Sequence, residues 1–278
     1  MYIQYHKGEN MMRIFGLMVM FIFVSLTSQA YSKVVGEAVE YKDNGTTLKG
    51  YIAYDDSIKG QRPGVLVVHE WWGHNDYVRK RADMLAKMGY TALAVDMYGE
   101  GKNTDHPENA NKFMTEVMNN MGIGEKRFNA ALELLKKQKT VNPEDIAAIG
   151  YCFGGAIVLH MARTGTDLDG VTSFHGNLSS MHTAPPDTIK TQILVLTGGD
   201  DPFVPQEQVD AFRKEMDTAG ADYELVIYPG VKHSFTNPDA DKYGKQYDLP
   251  LEYNKEADEK SWAQMQEFLK EVFKPGND

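Results

Sequence analysis

The chain has one cysteine, Cys152, in 278 residues. No intramolecular disulfide framework is available to it, so a fold of this size must rest on a packed core. Positive charge is also short: 29 Lys and Arg face 39 Asp and Glu, a formal net charge of −10. That balance excludes the basic face a nucleic-acid binder needs, so no nucleic-acid partner is expected. Long apolar runs are scarce as well. The one at 14–26 falls short of the about 20 residues that span a bilayer. What the chain does have is 42% hydrophobic residues, ample for a core, and a length that suits one large α/β domain or two small ones.

The run at 14–26 follows Met11-Met12-Arg13 and precedes Thr27-Ser28-Gln29-Ala30. A basic start, a short apolar core and small residues at 28 and 30 are the marks of a secretory signal. The expected division is a signal peptide at 1–30, with 1–10 an upstream extension, then a single domain at 31–278. An uncleaved anchor is the alternative. With cleavage the protein is periplasmic or secreted and keeps no stable membrane anchor. Oxidising compartments use cysteines in pairs. A lone one is then either a small buried hydrophobe or a residue kept for reactivity.

Two runs, 38–41 and 48–54, alternate in the strand manner around Asp43-Asn44-Gly45, a hairpin signal. After Pro63 the pattern changes to continuous apolar runs at 65–68, 91–95, 146–149, 171–174, 193–196 and 225–228. These read as strands buried on both faces. Helical patterns separate them at 76–88, 108–119, 125–139, 154–163 and 206–219, with a last one at 255–273. Strand–helix alternation of this length predicts a mostly parallel central sheet with helices on both faces, preceded by an antiparallel hairpin. Reactive groups in such sheets gather at the carboxyl ends of the strands.

Cys152 stands at such an end, within Gly150-Tyr151-Cys152-Phe153-Gly154-Gly155. A strand that enters a helix through a glycine-framed residue holds a nucleophile on a sharp turn. The run at 193–196 leads to Asp200-Asp201-Pro202, and the run at 225–228 leads to His233. Nucleophile, acid and histidine thus follow one another in the α/β-hydrolase order. The run at 65–68 ends in His69-Glu70-Trp71-Trp72-Gly73-His74. Its histidines are five apart, where a zinc helix needs four, so no metal is expected. Its better use is an oxyanion hole, with the backbone N–H of Trp71 beside that of Phe153. Glu70 is either part of the site or a charge paired with Arg79 or Arg81.

Together G-x-C-x-G-G, the HEWWG loop, DMYGEGK at 96–102, GGDDPFVP and VKHSFTNP resemble the dienelactone hydrolase family. The resemblance implies an α/β-hydrolase with Cys152, Asp201 and His233 as its triad and no cofactor. It prefers Asp201 to Asp200, because the family's acid stands one residue before Phe-Val-Pro. Glu70 matches a family glutamate that contacts the thiol and helps to deprotonate it. The implied activity is hydrolysis of a small ester or lactone through an acyl-enzyme. Thioester or peptide cleavage on the same scaffold, and a non-catalytic exported binding protein, are the alternatives. Family members that cleave dienelactone hold its carboxylate with arginines, one of them a few residues after the histidine. Here that stretch reads Ser234-Phe235-Thr236-Asn237, no arginine follows Arg213, and the DMYG stretch offers only Lys102. Residues 243–253 either close over the site or pack on the last helix.

Overall fold

A computed structural model of the chain describes residues 33–180 and 182–274, so the expected leader at 1–30 lies outside the described residues. Among the described residues, no helix is long and apolar enough to cross a membrane.

The chain opens with β1 (Val34–Asp43) and β2 (Thr46–Asp55), paired antiparallel along their full length. Asn44 and Gly45 join them with φ of 42° and 89°. Both central residues of this turn type need the left-handed region, which is why Asn-Gly marks it. Then follow β3 (Arg62–Val68), α1 (Asp76–Lys87), β4 (Thr91–Val95), α2 (Pro107–Met118), α3 (Met121–Lys136), β5 (Val141–Tyr151) and α4 (Phe153–Arg163). The second half runs β6 (Gly170–Phe174), β7 (Gln192–Gly198), α5 (Gln206–Ala219), β8 (Tyr223–Tyr228), α6 (Ala240–Tyr247) and α7 (Lys255–Val272). The eight strands form one sheet in the order β1-β2-β4-β3-β5-β6-β7-β8. β2 meets β4 antiparallel, and every later pairing is parallel.

The continuous apolar runs are explained by the two cores. Leu66 and Val68 of β3 face a core shared with Phe128 of α3, Ile157 of α4 and Phe212 of α5. Val65 and Val67 face the other, with Val78 and Leu85 of α1 and Met265 and Leu269 of α7. Each of these side chains contributes about 1.5–3 kcal/mol by leaving water, so neither face tolerates a polar residue at low cost. This is the expected α/β-hydrolase architecture, a mostly parallel sheet covered on both sides.

The element missing from the sequence reading is α6. It is only eight residues long, carries Gly244, and ends at Asp248 in the left-handed region (φ 52°). α3 also begins four residues before its expected start, because Gly122 and Gly124 in its first turn weaken the helical signal.

Candidate active site

The elbow after β5 is built by its glycines. Cys152 has φ 53° and ψ −113°, a region L-residues adopt only under constraint. A Cβ on Gly150 would lie 2.1 Å from the Gly154 carbonyl oxygen, one on Gly154 2.3 Å from that of Val68, and one on Gly155 2.6 Å from Ser173 Oγ. Only hydrogen fits at all three. The chain therefore turns tightly enough to leave the Cys152 thiol half-buried at the start of α4.

His233 follows β8 and is buried; its Nδ1 donates to Asp201 Oδ2 at 2.7 Å. Asp201 is buried in turn, and its other oxygen accepts the Phe203 N–H at 2.8 Å. Asp200 is exposed, so the acid on His233 is the one the family pattern selects. Burial opposes charge on His233. The Cys152 charge, the Asp201 hydrogen bond and a hydrogen bond with the Cys152 side chain outweigh it and lift the imidazole pKa to about 10. Cys152, His233 and Asp201 thus form one continuous line of groups from the ends of β5, β8 and β7.

The two amides proposed for an oxyanion are oriented by their peptide planes. Glu70 O accepts from His69 Nδ1 (2.6 Å) and from Gly73 N (3.1 Å). In a trans peptide the N–H lies opposite the C=O, so the Trp71 N–H turns the other way. Cys152 O accepts from Ala156 N at 3.2 Å as the first bond of α4, which directs the Phe153 N–H out of the helix start. Neither N–H has an acceptor among the described residues. The two loops are tied together by Gly154 N donating to His69 O at 3.1 Å, and Tyr98 Oη donates to Trp71 O at 3.0 Å. His69 Nε2 accepts from Met97 N and His74 Nε2 donates to Ala94 O, so both histidines of this loop brace the backbone.

Glu70 is buried and accepts from Ser234 Oγ (3.1 Å) and Asn237 Nδ2 (2.5 Å). Burial raises its carboxyl pKa, while Asn237, the His233 charge, Ser234 and Arg81 pull it back. Its hydrogen bonds do not include the thiol. Arg81 pairs instead with Asp258 at 2.6 Å, and Arg79 with Asp76 at 3.7 Å. Asn237 stands in the arginine-free stretch after His233, and its amide donates to Glu70.

Behind His233 lies a group absent from the sequence reading. His175, at the end of β6, stacks edge-on against the His233 ring with centroids 5.1 Å apart. Its Nε2 bonds Thr236 Oγ1 at 2.7 Å, and that hydroxyl also meets Tyr77 Oη at 2.7 Å. Arg81 donates to Thr236 O at 2.7 Å. Burial first, then the charges on His233 and Arg81, hold the His175 pKa well below its ordinary value, so it packs as a neutral ring.

A cavity of about 460 Å³ opens over Cys152 and His233. Trp71 and Phe153 line it at the base, Met114 and Met118 of α2 form one wall, and Leu249 and Leu251 another. The segment 243–253 takes both of its expected places. Tyr243 stacks on Trp72 with centroids 4.3 Å apart, and Glu252 N donates to His233 O at 3.1 Å, above the site. Tyr253 Oη meanwhile reaches Asp258 of α7 at 3.3 Å.

With this geometry in hand, the chain can be set beside known proteins. The profile of the Dienelactone hydrolase family matches residues 48–273. "Protein usf" of Aquifex pyrophilus is 33% identical over 208 residues, covering 73% of this chain and 88% of that protein. The "Putative carboxymethylenebutenolidase" of Aquifex aeolicus is 31% identical over the same shares. Among solved structures, a dienelactone hydrolase-like promiscuous phosphotriesterase from metagenomic libraries superposes with a TM-score of 0.82 at 33% identity, covering 87% of this chain and 99% of that one. The chain belongs to the dienelactone hydrolase family and is an α/β-hydrolase acting on ester or lactone bonds.

Proposed function

We propose that Cys152 is the nucleophile of a Cys–His–Asp hydrolase that works through an acyl-enzyme. His233, held in one tautomer by Asp201, takes the thiol proton. The thiolate attacks the substrate carbonyl carbon, and the oxyanion rests on the Trp71 and Phe153 amides. As the carbonyl reforms, the C–O bond to the leaving group breaks and the leaving oxygen takes the proton from His233. Water then gives a proton to His233 and attacks the thioester; the C–S bond breaks, releasing the acid and the thiolate. Glu70 assists from one layer away. Its charge attracts the His233 imidazolium and so favours the thiolate, while Ser234 and Asn237 hold it beside the histidine loop. The signal-like segment at 1–30 supports placing the mature enzyme in the periplasm or outside the cell.

The observation that carries this reading is the buried His233, bonded to Asp201 on one side and facing a thiol held at positive φ on the other. Cys152→Ala should abolish hydrolysis of p-nitrophenyl acetate, and iodoacetamide should inactivate the wild type in step with labelling of Cys152. Full hydrolysis by the Ala variant would refute the mechanism. A panel of esters, lactones, thioesters and peptides places the preferred bond.

A further inference from the structure

The walls of the cavity over Cys152 are largely apolar. Met114 and Met118 face it from α2, Leu249 and Leu251 from the segment above, and Phe203 from the loop after β7. Besides the groups of the site itself, its polar lining residues are Asn111 and Asn177, both exposed. No lysine or arginine lines it. Lys102 lies outside the lining, and the buried Arg81 and Arg127 are engaged elsewhere. Lys102 is exposed, with its ammonium 5.8 Å from the Phe113 ring centroid. Arg81 is held by Asp258 and Thr236 O, and Arg127 by Met97 O. Asn237 donates to Glu70 rather than into the cavity.

Glu70 and Asp201 are buried around His233 rather than in the lining, Asp201 bonded to its Nδ1 at 2.7 Å. A carboxylate on the substrate would lose its hydration here, and the one cationic group of the lining, His233, is already engaged by Asp201 and the Cys152 side chain, so no free partner replaces the water. An uncharged chain loses nothing of the kind, and the flexible methionines of α2 adapt to its shape.

We infer that this enzyme selects esters or lactones whose acyl portion is neutral and apolar, because the cavity over Cys152 is lined by Met114, Met118, Phe203, Leu249 and Leu251 and, among the described residues, by no lysine or arginine. The inference rests on the hydrolase reading above and narrows it to a substrate class. The size of the cavity fits a small-molecule acyl group.

The test compares p-nitrophenyl hexanoate with the mono-p-nitrophenyl ester of adipic acid, which has the same chain length and leaving group but ends in a carboxylate. The wild type should favour the hexanoate in kcat/KM by ~100-fold or more. Ratios within about threefold, or reversed, overturn the inference. Met118→Arg, which sets a guanidinium on the α2 wall, should narrow the ratio by about tenfold or more; an unchanged ratio also overturns it. Equilibrium binding of the two intact esters to Cys152→Ala separates the two readings. Tighter binding of the hexanoate, with no turnover of either ester by the wild type, would sink the hydrolytic mechanism and leave the cavity's preference standing. Equal binding would sink the preference alone.

Discussion

Gly154→Ala is the sharpest test of how the elbow is built. The added methyl carbon would sit 2.3 Å from Val68 O, 2.6 Å from Val68 C and 2.7 Å from His69 O. All three are backbone atoms at the end of a central strand, so no side chain can swing away. Reaching ordinary contact requires α4 and β3 to part by about 1 Å, a misplacement that costs about a hundredfold in rate when it reaches reacting groups. The separation also stretches the Gly154 N–H bond to His69 O that ties the two amide-bearing loops together. Overpacking and the weakened bond together should lower stability by about 2–4 kcal/mol. Gly122→Ala is the control. It is exposed in α3, and its new carbon would lie 3.6 Å from Asn120 Oδ1, so it should stabilise by about 0.4–1 kcal/mol. Urea unfolding and p-nitrophenyl ester hydrolysis are measured on both. A Gly154→Ala protein with wild-type stability and turnover would refute the argument that close backbone approach makes this elbow.

Asp201→Asn should leave the fold intact but lower kcat by about a thousandfold or more, because Asp201 sets the His233 tautomer and supports its charge. A loss below tenfold, with urea unfolding unchanged, would remove Asp201 from the mechanism. Arg81→Met should cost about 1–3 kcal/mol by taking the cation from the half-buried Asp258 carboxylate, which keeps only the Tyr253 hydroxyl among the described residues, and a donor from Thr236 O. The double variant with Asp258→Leu should recover part of that loss in urea unfolding; no recovery would count against a stranded charge as the cause. Acid should weaken the protein below pH 6.5, since His69 (pKa about 4), His74 and His175 are held neutral chiefly by burial. The unfolded chain takes up these protons first, so stability falls with pH through that window, by about 1.4 kcal/mol per pH unit for each fully engaged histidine. Glu70, with its pKa raised by burial, works in the opposite sense above its unfolded value. Unfolding curves at pH 7 and pH 5 that coincide would contradict this.

The parts of the molecule that were legible in the sequence are those whose cause is local or repetitive. Continuous apolar runs mark strands with a core on each side, and Asn44-Gly45 marks a turn with two left-handed residues. The glycines around Cys152 announce a turn where no side chain fits. The order of Cys152, Asp201 and His233 followed from their places after successive strands. What was not legible depends on contacts between distant parts. His175 meets Thr236 across 61 positions and Tyr77 meets Thr236 across 159, and no spacing rule connects them. Met114 and Met118 have the four-residue spacing of any core-facing helix stripe, so the sequence cannot distinguish a cavity wall from packing. The partners of Glu70 were hidden for the same reason. Ser234 and Asn237 read as loop residues until the fold sets the end of β8 beside the end of β3.

These two kinds of residue divide the labour of the site. The groups proposed to do chemistry are positioned largely by the backbone: two peptide planes fixed by carbonyl hydrogen bonds, an elbow shaped by absent side chains, and a histidine loop whose 233 and 235 carbonyls accept from Glu252 and Asn254. The cavity beyond them is lined by side chains on α2 and on the segment after β8. A change of wall side chain leaves those peptide planes and carbonyl bonds where they are. The lack of an arginine between Ser234 and Asn237 therefore has a limited reach. Asn237 donates to Glu70, and Cys152, His233 and the two amides are held independently of it by the backbone. Hydrolysis and substrate charge are thus separable in the proposed mechanism, and a neutral acyl chain requires no change in the geometry around Cys152 and His233.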